Sequence, residues 1–312
     1  MSNFWQNKKI LVTGGKGFLG KYVIEKLEQR GIKKENIFVP IFGDYDLRKM
    51  EDCQKAIKGR QIVIHLAGTV GGVGFNKEHP GKVFYDNAAM ALNMLEAARI
   101  EGVEKFVGIG SVCEYPKEPP IPFKEEDLWS GYPEETNAPY GLAKKFMLVQ
   151  SQAYKREHGL NAIHLLMINL YGPGDNFDLA TSHVIAATIR KVYEAKHNNK
   201  DYIEVWGTGK ATREFLYVED AAEGIILATE KYDKPEPVNL GSGMEISIKD
   251  LVQLICKLMD FKGEIHWDTS KPDGQLRRSL DVLKAEREFG FRAKTSLEEG
   301  LKKAINWYIE NY

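Results

Sequence analysis

Thr13-Gly14-Gly15-Lys16-Gly17-Phe18-Leu19-Gly20 is the stretch that decides the fold. It follows a short apolar run, residues 9–13, and opens a segment with Leu19, Val23, Ile24 and Leu27 at helical spacing. Gly14, Gly17 and Gly20 then sit in a turn between a strand and a helix. Gly14 allows the tight turn, Gly17 lets the backbone approach a pyrophosphate, and Gly20 lets helix and strand pack closely. The pyrophosphate would rest on the positive end of the helix. A turn that merely joins strand to helix has a similar composition, but its place at the first strand–helix junction favours a dinucleotide. Gly14, Lys16, Gly17, Phe18, Leu19 and Gly20 are the expected cradle.

Working outward, further strands are predicted at 36–41, 61–66, 105–109 and 162–168, and helices at 87–101 and 140–158. Strands that alternate with helices imply βαβ units, hence an α/β fold with a Rossmann-type, doubly wound parallel sheet. Ile62-Val63-Ile64 has the continuous apolar character of a strand covered on both faces. After residue 168 the pattern loosens. A loop at 172–176 precedes a helix at 182–196, a strand at 202–206, a helix at 218–229 and a strand at 237–240. Amphipathic helices at 247–259 and 296–308 surround a loop-rich stretch, 263–278. The expected division is a dinucleotide-binding domain of residues 1–170 plus about 211–240. A smaller α/β substrate-binding domain would take about 171–210 plus 241–312, over the carboxyl edge of the sheet, where such folds bind ligands.

Composition narrows the class. The chain has 312 residues, 43% hydrophobic and 28% charged, with a net charge of −1, so no broad attraction to nucleic acid or anionic membrane is expected. Cys53, Cys113 and Cys256 lie far apart with no C-x-x-C pair. That spacing argues against a disulfide framework or a zinc site and fits a reducing compartment. The first residues, Met1-Ser2-Asn3-Phe4-Trp5, lead into an apolar strand without a signal-peptide core. No run approaches the ~20 apolar residues that span a bilayer. A cytoplasmic protein is expected.

Tyr140 and Lys144 stand four residues apart, which puts a phenol and an ammonium on one helix face. A lysine cation there favours tyrosinate and draws the phenol toward the working range, as a general acid or base needs. Lys144 can also bond a nicotinamide ribose. Y-x-x-x-K also arises on ordinary helix surfaces, so its weight comes from the dinucleotide loop upstream and Pro139 at the helix start. Ser111 follows the strand at 105–109, where its hydroxyl can meet a substrate oxygen beside Tyr140. The stretch after the second strand, Val39-Pro40-Ile41-Phe42-Gly43-Asp44, holds no arginine for an adenosine 2′-phosphate, and Asp44 sits far along for a ribose ligand. Lys16 could meet a 2′-phosphate or stay in solvent.

These residues together resemble the extended short-chain dehydrogenase/reductase (NAD-dependent epimerase/dehydratase) family, and within it the GDP-L-fucose synthase group, across nearly the whole chain. His65-Leu66-Ala67-Gly68 is similar to that family's strand end near the adenine. Val70-Gly71-Gly72-Val73, Ser111-Val112-Cys113 with Tyr115-Pro116-Lys117, and Thr136-Asn137 with Pro139-Tyr140 resemble motifs of the group. So do Asn169-Leu170-Tyr171-Gly172-Pro173 with Asp175-Asn176-Phe177, Ser182-His183-Val184-Ile185, Val205-Trp206-Gly207, Arg213-Glu214-Phe215-Leu216 and the run at 267–274. The resemblance implies cofactor contacts from Leu66, Ala67, Gly68, Tyr140, Lys144, Asn169 and His183. It implies substrate contacts from Asn137, Lys191, Trp206, Arg213 and Arg278, with Arg277 as a further phosphate ligand. It implies Ser111, Tyr140 and Lys144 for reduction, and Cys113 and His183 as the proton-shuttling pair.

The expected activity is epimerisation of a nucleotide-linked 4-keto sugar at C3 and C5, then reduction at C4, on GDP-4-keto-6-deoxymannose or a related sugar. NADP(H) is placed ahead of NAD(H). The alternatives are a redox-neutral epimerase that keeps NAD bound, of the GDP-mannose 3,5-epimerase or UDP-sugar 4-epimerase kind, and a non-catalytic dinucleotide-binding scaffold. A homodimer through the two long helices is expected by analogy of fold. The chain departs from the group in four places. It has no arginine after the second strand, it has Gly15-Lys16 within the glycine loop, Glu114 follows Cys113 where the group has an apolar residue, and Lys191 stands where the group often has arginine.

Overall fold

The computed structural model describes residues 3–271 and 273–312. Met1 and Ser2 of the N-terminal run, and Pro272 of the 267–274 motif, lie outside the described residues. The elements run β1 (Ile10–Thr13), α1 (Phe18–Gln29), β2 (Ile37–Phe38), α2 (Met50–Ile57), β3 (Ile62–His65), α3 (Val73–Glu78) and α4 (Pro80–Glu101). They continue with β4 (Lys105–Ser111), α5 (Ala138–His158), β5 (Ala162–Met167), β6 (Asn169–Tyr171), α6 (Val184–His197), β7 (Tyr202–Trp206), β8 (Thr212–Tyr217) and α7 (Val218–Lys231). Last come β9 (Val238–Leu240), β10 (Glu245–Ser247), α8 (Ile248–Leu258), β11 (Glu264–Asp268), α9 (Leu283–Phe289) and α10 (Leu297–Asn311).

Six strands form one parallel sheet in the order β2-β1-β3-β4-β5-β9. This is the doubly wound α/β sheet that the alternation predicts. Strand order reverses between β1 and β3, and a ligand crevice opens at the carboxyl ends of strands where that happens. In register, Thr13 stands opposite His65, so the glycine turn after β1 lies beside the residues that follow β3. Ile10, Leu11 and Val12 of β1 and Val63 and Ile64 of β3 are fully buried. Each such side chain contributes on the order of 1.5–3 kcal/mol by leaving water. Helices α4 and α5 lie against each other and end in left-handed glycines, Gly102 (φ 65) and Gly159 (φ 71).

Beyond β5 the chain builds a second apolar cluster. Strand β6 pairs parallel with β8, β10 pairs antiparallel with β8, and β7 pairs parallel with β11. Ile189 of α6, Leu251 and Ile255 of α8 and Leu301 and Ile305 of α10 close over Tyr171, Phe215 and Tyr217. Among the described residues, no helix is long and apolar enough to cross a membrane, and no group of three or more His, Cys, Asp or Glu could hold a metal ion.

Several boundaries differ from expectation, each for a physical reason. The strand predicted at 36–41 spans only Ile37–Phe38, because Pro40 carries no N–H for the ladder. The helix predicted from 87 starts at Pro80, whose fixed φ suits a first helical position. The strand predicted at 105–109 runs on to Ser111, and the helix predicted from 182 starts at Val184, leaving His183 as its cap. The stretch 263–278 is not all loop, since β11 runs through it along β7.

Candidate active site

The glycine turn is built by close backbone approaches. Gly14 takes φ +69, and a β-carbon there would lie 2.9 Å from the Ala67 nitrogen. A β-carbon on Gly20 would overlap the Gly14 carbonyl oxygen. Gly17 caps α1 and donates its N–H to Gly14 O at 2.9 Å. Thr13 Oγ1 pairs with His65 Nδ1 at 2.8 Å and accepts the Ala67 N–H at 3.1 Å, which ties the ends of β1 and β3 together. Burial, helped by the nearby Lys144 cation, pushes the His65 imidazole down to about 3, so it is neutral there. The loop backbone thus lies bare against Leu66 and Ala67 at the start of α1. That fits a pyrophosphate, for which a side chain would leave no room. Lys16 is exposed beside it.

An arginine that sequence reading passed over stands near this end of the sheet. Arg48 binds Asp46 at 2.8 Å and Asp86 at 3.0 Å, and Asp86 also accepts the Thr69 hydroxyl at 3.0 Å. Its distance from β2 hid it, since only the fold brings the β2–α2 connection back against α4.

Tyr140 and Lys144 lie in the first turns of α5, one turn apart. The Lys144 ammonium is buried, 5.8 Å from the centre of the Tyr140 ring and 3.8 Å from where a β-carbon on Gly68 would stand. The spacing predicts a phenol lowered by lysine; the structure corrects this. Burial pushes the Tyr140 phenol up, and Cys113 and Glu114 add to the effect, while burial draws Lys144 down to about 8 against the pull of Glu114. The phenol is therefore a protonated donor near neutrality, and the lysine is the member that titrates.

Ser111 ends β4, and Cys113 sits in the tight turn that follows. Ser111 Oγ accepts the Cys113 N–H at 3.2 Å, and Glu114 accepts the Ser111 N–H at 2.8 Å. Sequence reading missed Gly141 altogether. A β-carbon there would overlap the Cys113 carbonyl oxygen, so α5 reaches the cysteine turn only because residue 141 has none. Its signal lay 28 positions away in the chain, on a different element.

Arg278 lies on the other side of Cys113, with one guanidinium nitrogen 3.9 Å from Sγ. His183 keeps exposed surface, yet desolvation of its ring and the Arg278 cation hold its imidazole below the ordinary histidine value. Burial, with repulsion from Arg278, lowers Arg213 to about 10. Arg213 donates to the carbonyls of Thr212 at 2.7 Å and Asp273 at 3.3 Å. Cys113, His183, Arg278 and Arg213 therefore converge. Arg277 does not join them, because it is held by the Glu245 carboxylate at 2.6 Å. Nor is Arg213 paired with its neighbour Glu214. That fully buried carboxylate accepts the N–H groups of Ser242, Gly243 and Leu280 and the Ser279 hydroxyl, and so ties β8 to the segment that carries Arg278.

The remaining expected contacts are more dispersed. Asn137 caps α5, donates to Glu134 at 2.7 Å and accepts from Asn76 Nδ2 at 3.2 Å. Asn169 Nδ2 is engaged by the Glu214 carbonyl at 2.9 Å. Trp206 is 60% exposed, with the ammonium groups of Lys191 and Lys271 6.0 and 5.5 Å from its ring centre. Lys191 also donates to Glu204 O at 2.9 Å.

A bare glycine cradle at the switch point of a parallel sheet, with tyrosine and lysine one turn apart on the next long helix but one, defines an NAD(P)-dependent enzyme. The chain belongs to the NAD-dependent epimerase/dehydratase family, whose model matches residues 10–241. It is 39% identical to a GDP-L-fucose synthase of Sinorhizobium fredii over 308 residues, covering 97% of this chain and 96% of that protein. Among solved structures it is similar to a GDP-L-fucose synthetase of Naegleria fowleri bound to NADP, with a TM-score of 0.88 and 31% identity over 98% of this chain and 95% of that one. A GDP-6-OMe-4-keto-L-xylo-heptose reductase of Campylobacter jejuni superposes with a TM-score of 0.91 at 27% identity, over 100% and 99% of the two chains.

Proposed function

We propose that this enzyme epimerises a GDP-linked 4-keto-6-deoxy sugar at C3 and C5 and then reduces its C4 carbonyl. One observation carries the reading: the Tyr140–Lys144 pair and the Cys113–His183–Arg278 group meet across a single turn, the one closed by Gly141. A carbonyl at C4 acidifies the protons on its neighbours, and groups that hold its developing negative charge lower the barrier. Cys113 and His183 share one proton between them. The member without it removes a proton beside the carbonyl, and the member with it returns one from the opposite face. Ser111 bonds the carbonyl oxygen, Tyr140 gives that oxygen its proton at the reduction, and the Lys144 cation favours the tyrosinate left behind.

When bound, a reduced nicotinamide dinucleotide supplies the hydride. Gly14, Gly17 and Gly20 with Leu66, Ala67 and Gly68 would hold it, and Asn169 and His183 would border its nicotinamide end. NADP(H) is set ahead of NAD(H), supported by the NADP bound to the Naegleria relative and by Lys16 at the rim of the cradle. Arg213 and Arg278 crowd together, a repulsion that a diphosphate relieves through two planar forks. Trp206, flanked by Lys191, offers an exposed face to the guanine, and Asn137 bonds the sugar.

Residues 1–170 plus about 211–240 act as the dinucleotide-binding unit and about 171–210 plus 241–312 as the substrate-binding unit, with α9 of the latter packed on α7 and β9. The exposed apolar side chains Tyr85 and Leu92 on α4 and Phe146 and Val149 on α5 support a homodimer through those helices.

The test of epimerisation needs no reductant. Protein and GDP-4-keto-6-deoxymannose in heavy water should yield sugar that carries deuterium at C3 and C5 by mass spectrometry. Recovery of the sugar with only protium at both carbons would refute the epimerase half.

A further inference from the structure

Glu114, which departs from the family resemblance in the cysteine turn, is fully buried. Its Oε1 accepts the Ser111 N–H at 2.8 Å, closing a capping box with the Ser111 hydroxyl around the turn that carries Cys113. Both carboxylate oxygens lie 3.1 Å from Nε2 of His164, on β5, and neither side chain has any solvent-exposed surface. A carboxylate only accepts, so Nε2 is the protonated ring nitrogen. Nδ1 of His164 is buried without a partner, so Glu114 is the only hydrogen-bonding partner this imidazole has among the described residues. Room for the pair comes from Gly110, where a β-carbon would overlap both the carboxylate and the imidazole.

The charged and titratable groups that face Glu114 come from each element packed on it. Tyr140, Lys144 and Lys145 lie on α5, His164 on β5, and Cys113 and Tyr115 on its own turn. Its negative charge favours the ammonium of Lys144 and disfavours tyrosinate at Tyr140. Lys145 is committed elsewhere, donating to Leu128 O at 2.5 Å. Without Glu114, burial alone would govern the charge of Lys144.

We propose that the buried Glu114–His164 pair is the positioning device of the reducing step: it fixes the turn that presents Ser111 and Cys113 against the start of α5, where Tyr140 and Lys144 stand. His164 aligns the carboxylate, and the carboxylate acts through the serine turn and the lysine without touching substrate. The proposal rests on the assignment of Tyr140 and Lys144 to reduction.

The experiment compares the wild type with Glu114→Gln, which keeps an acceptor for the Ser111 N–H but removes the charge. A double variant, Glu114→Gln/His164→Gln, pairs two amides in the same space. Each is melted by circular dichroism, and kcat and KM for NADPH oxidation with GDP-4-keto-6-deoxymannose are measured across pH. In either variant the basic limb of kcat should move to lower pH by about half a unit or more. KM should change less than about threefold, and activity should recover toward wild type as the pH is lowered. Profiles parallel to wild type, reduced equally at every pH or not at all, would overturn the proposal. So would failure of both variants to give a cooperative melt, since the pair would then serve only to hold the fold. A wild type inactive on this sugar with either nicotinamide cofactor would instead count against the functional reading beneath it.

Discussion

The carbonyl oxygen of Cys113 lies against the α-carbon of Gly141 so closely that no β-carbon fits between them. This contact joins the two halves of the proposed chemistry. It sets the cysteine turn beside Tyr140, and through that turn the Arg278 group as well.

Gly141→Ala should therefore cost more than a helical glycine-to-alanine change normally gains. Overpacking of this kind costs typically about 1–3 kcal/mol, against the roughly 1 kcal/mol that alanine contributes in a helix interior. The thermal midpoint should fall, and both proton exchange at the sugar and C4 reduction should decline together. A variant that melts at or above the wild type with full activity would show that the two elements can part freely.

Tyr140→Phe removes the proposed acid and leaves the Cys113–His183 pair in place. Reduction should fall by about 10²–10⁴-fold, the usual worth of a positioned general acid. Deuterium incorporation at C3 and C5 should stay within a few-fold of wild type. Rapid reduction by the phenylalanine variant, followed by cofactor absorbance, would reassign the proton donor.

The pH dependence of reduction follows from Lys144. Burial lowers its ammonium from the ordinary lysine value to about 8, so the charge is present below that pH and is lost as pH rises through it. The kcat for reduction should hold up to about pH 8 and decline above it. The phenol, pushed up by burial, should add no limb in the same range. A rate that climbs steadily from pH 7 to 9.5 would contradict this.

Arg213→Lys keeps one positive charge but loses the fork that grips two oxygens. Loss of a charged hydrogen bond is worth about 1.5–3 kcal/mol, which corresponds to KM for the sugar nucleotide rising by roughly tenfold to a hundredfold. The KM for the nicotinamide cofactor should hardly move. Equal weakening of both ligands would place Arg213 in the wrong half of the cleft.

Much of this was written in the sequence, though unevenly. The strand–glycine–helix junction at residues 10–20 is local, so its geometry follows from residues adjacent in the chain, and the parallel sheet follows from the alternation around it. Tyr140 and Lys144 were equally legible, because helical spacing alone puts them on one face. Their electrostatics were not. A phenol's pKa depends on how deeply the fold buries it, and no i, i+4 rule reports that. Arg277 and Arg278 look equivalent in sequence, but the pairing of β10 with β8 places Glu245 where it captures one and leaves the other to Cys113. Glu114 read as a departure from the family pattern. Its reason, His164 on the neighbouring strand, lies 50 positions along the chain.

One cleft is proposed both to epimerise and to reduce the sugar. The most direct measurement gives the wild-type protein GDP-4-keto-6-deoxymannose with NADPH, and separately with NADH, while following nicotinamide absorbance and identifying the sugar formed. With one of the two cofactors, absorbance should fall in proportion to a product that is inverted at C3 and C5 and carries a hydroxyl at C4. Unchanged absorbance with both cofactors, in protein shown to be folded, would contradict the account.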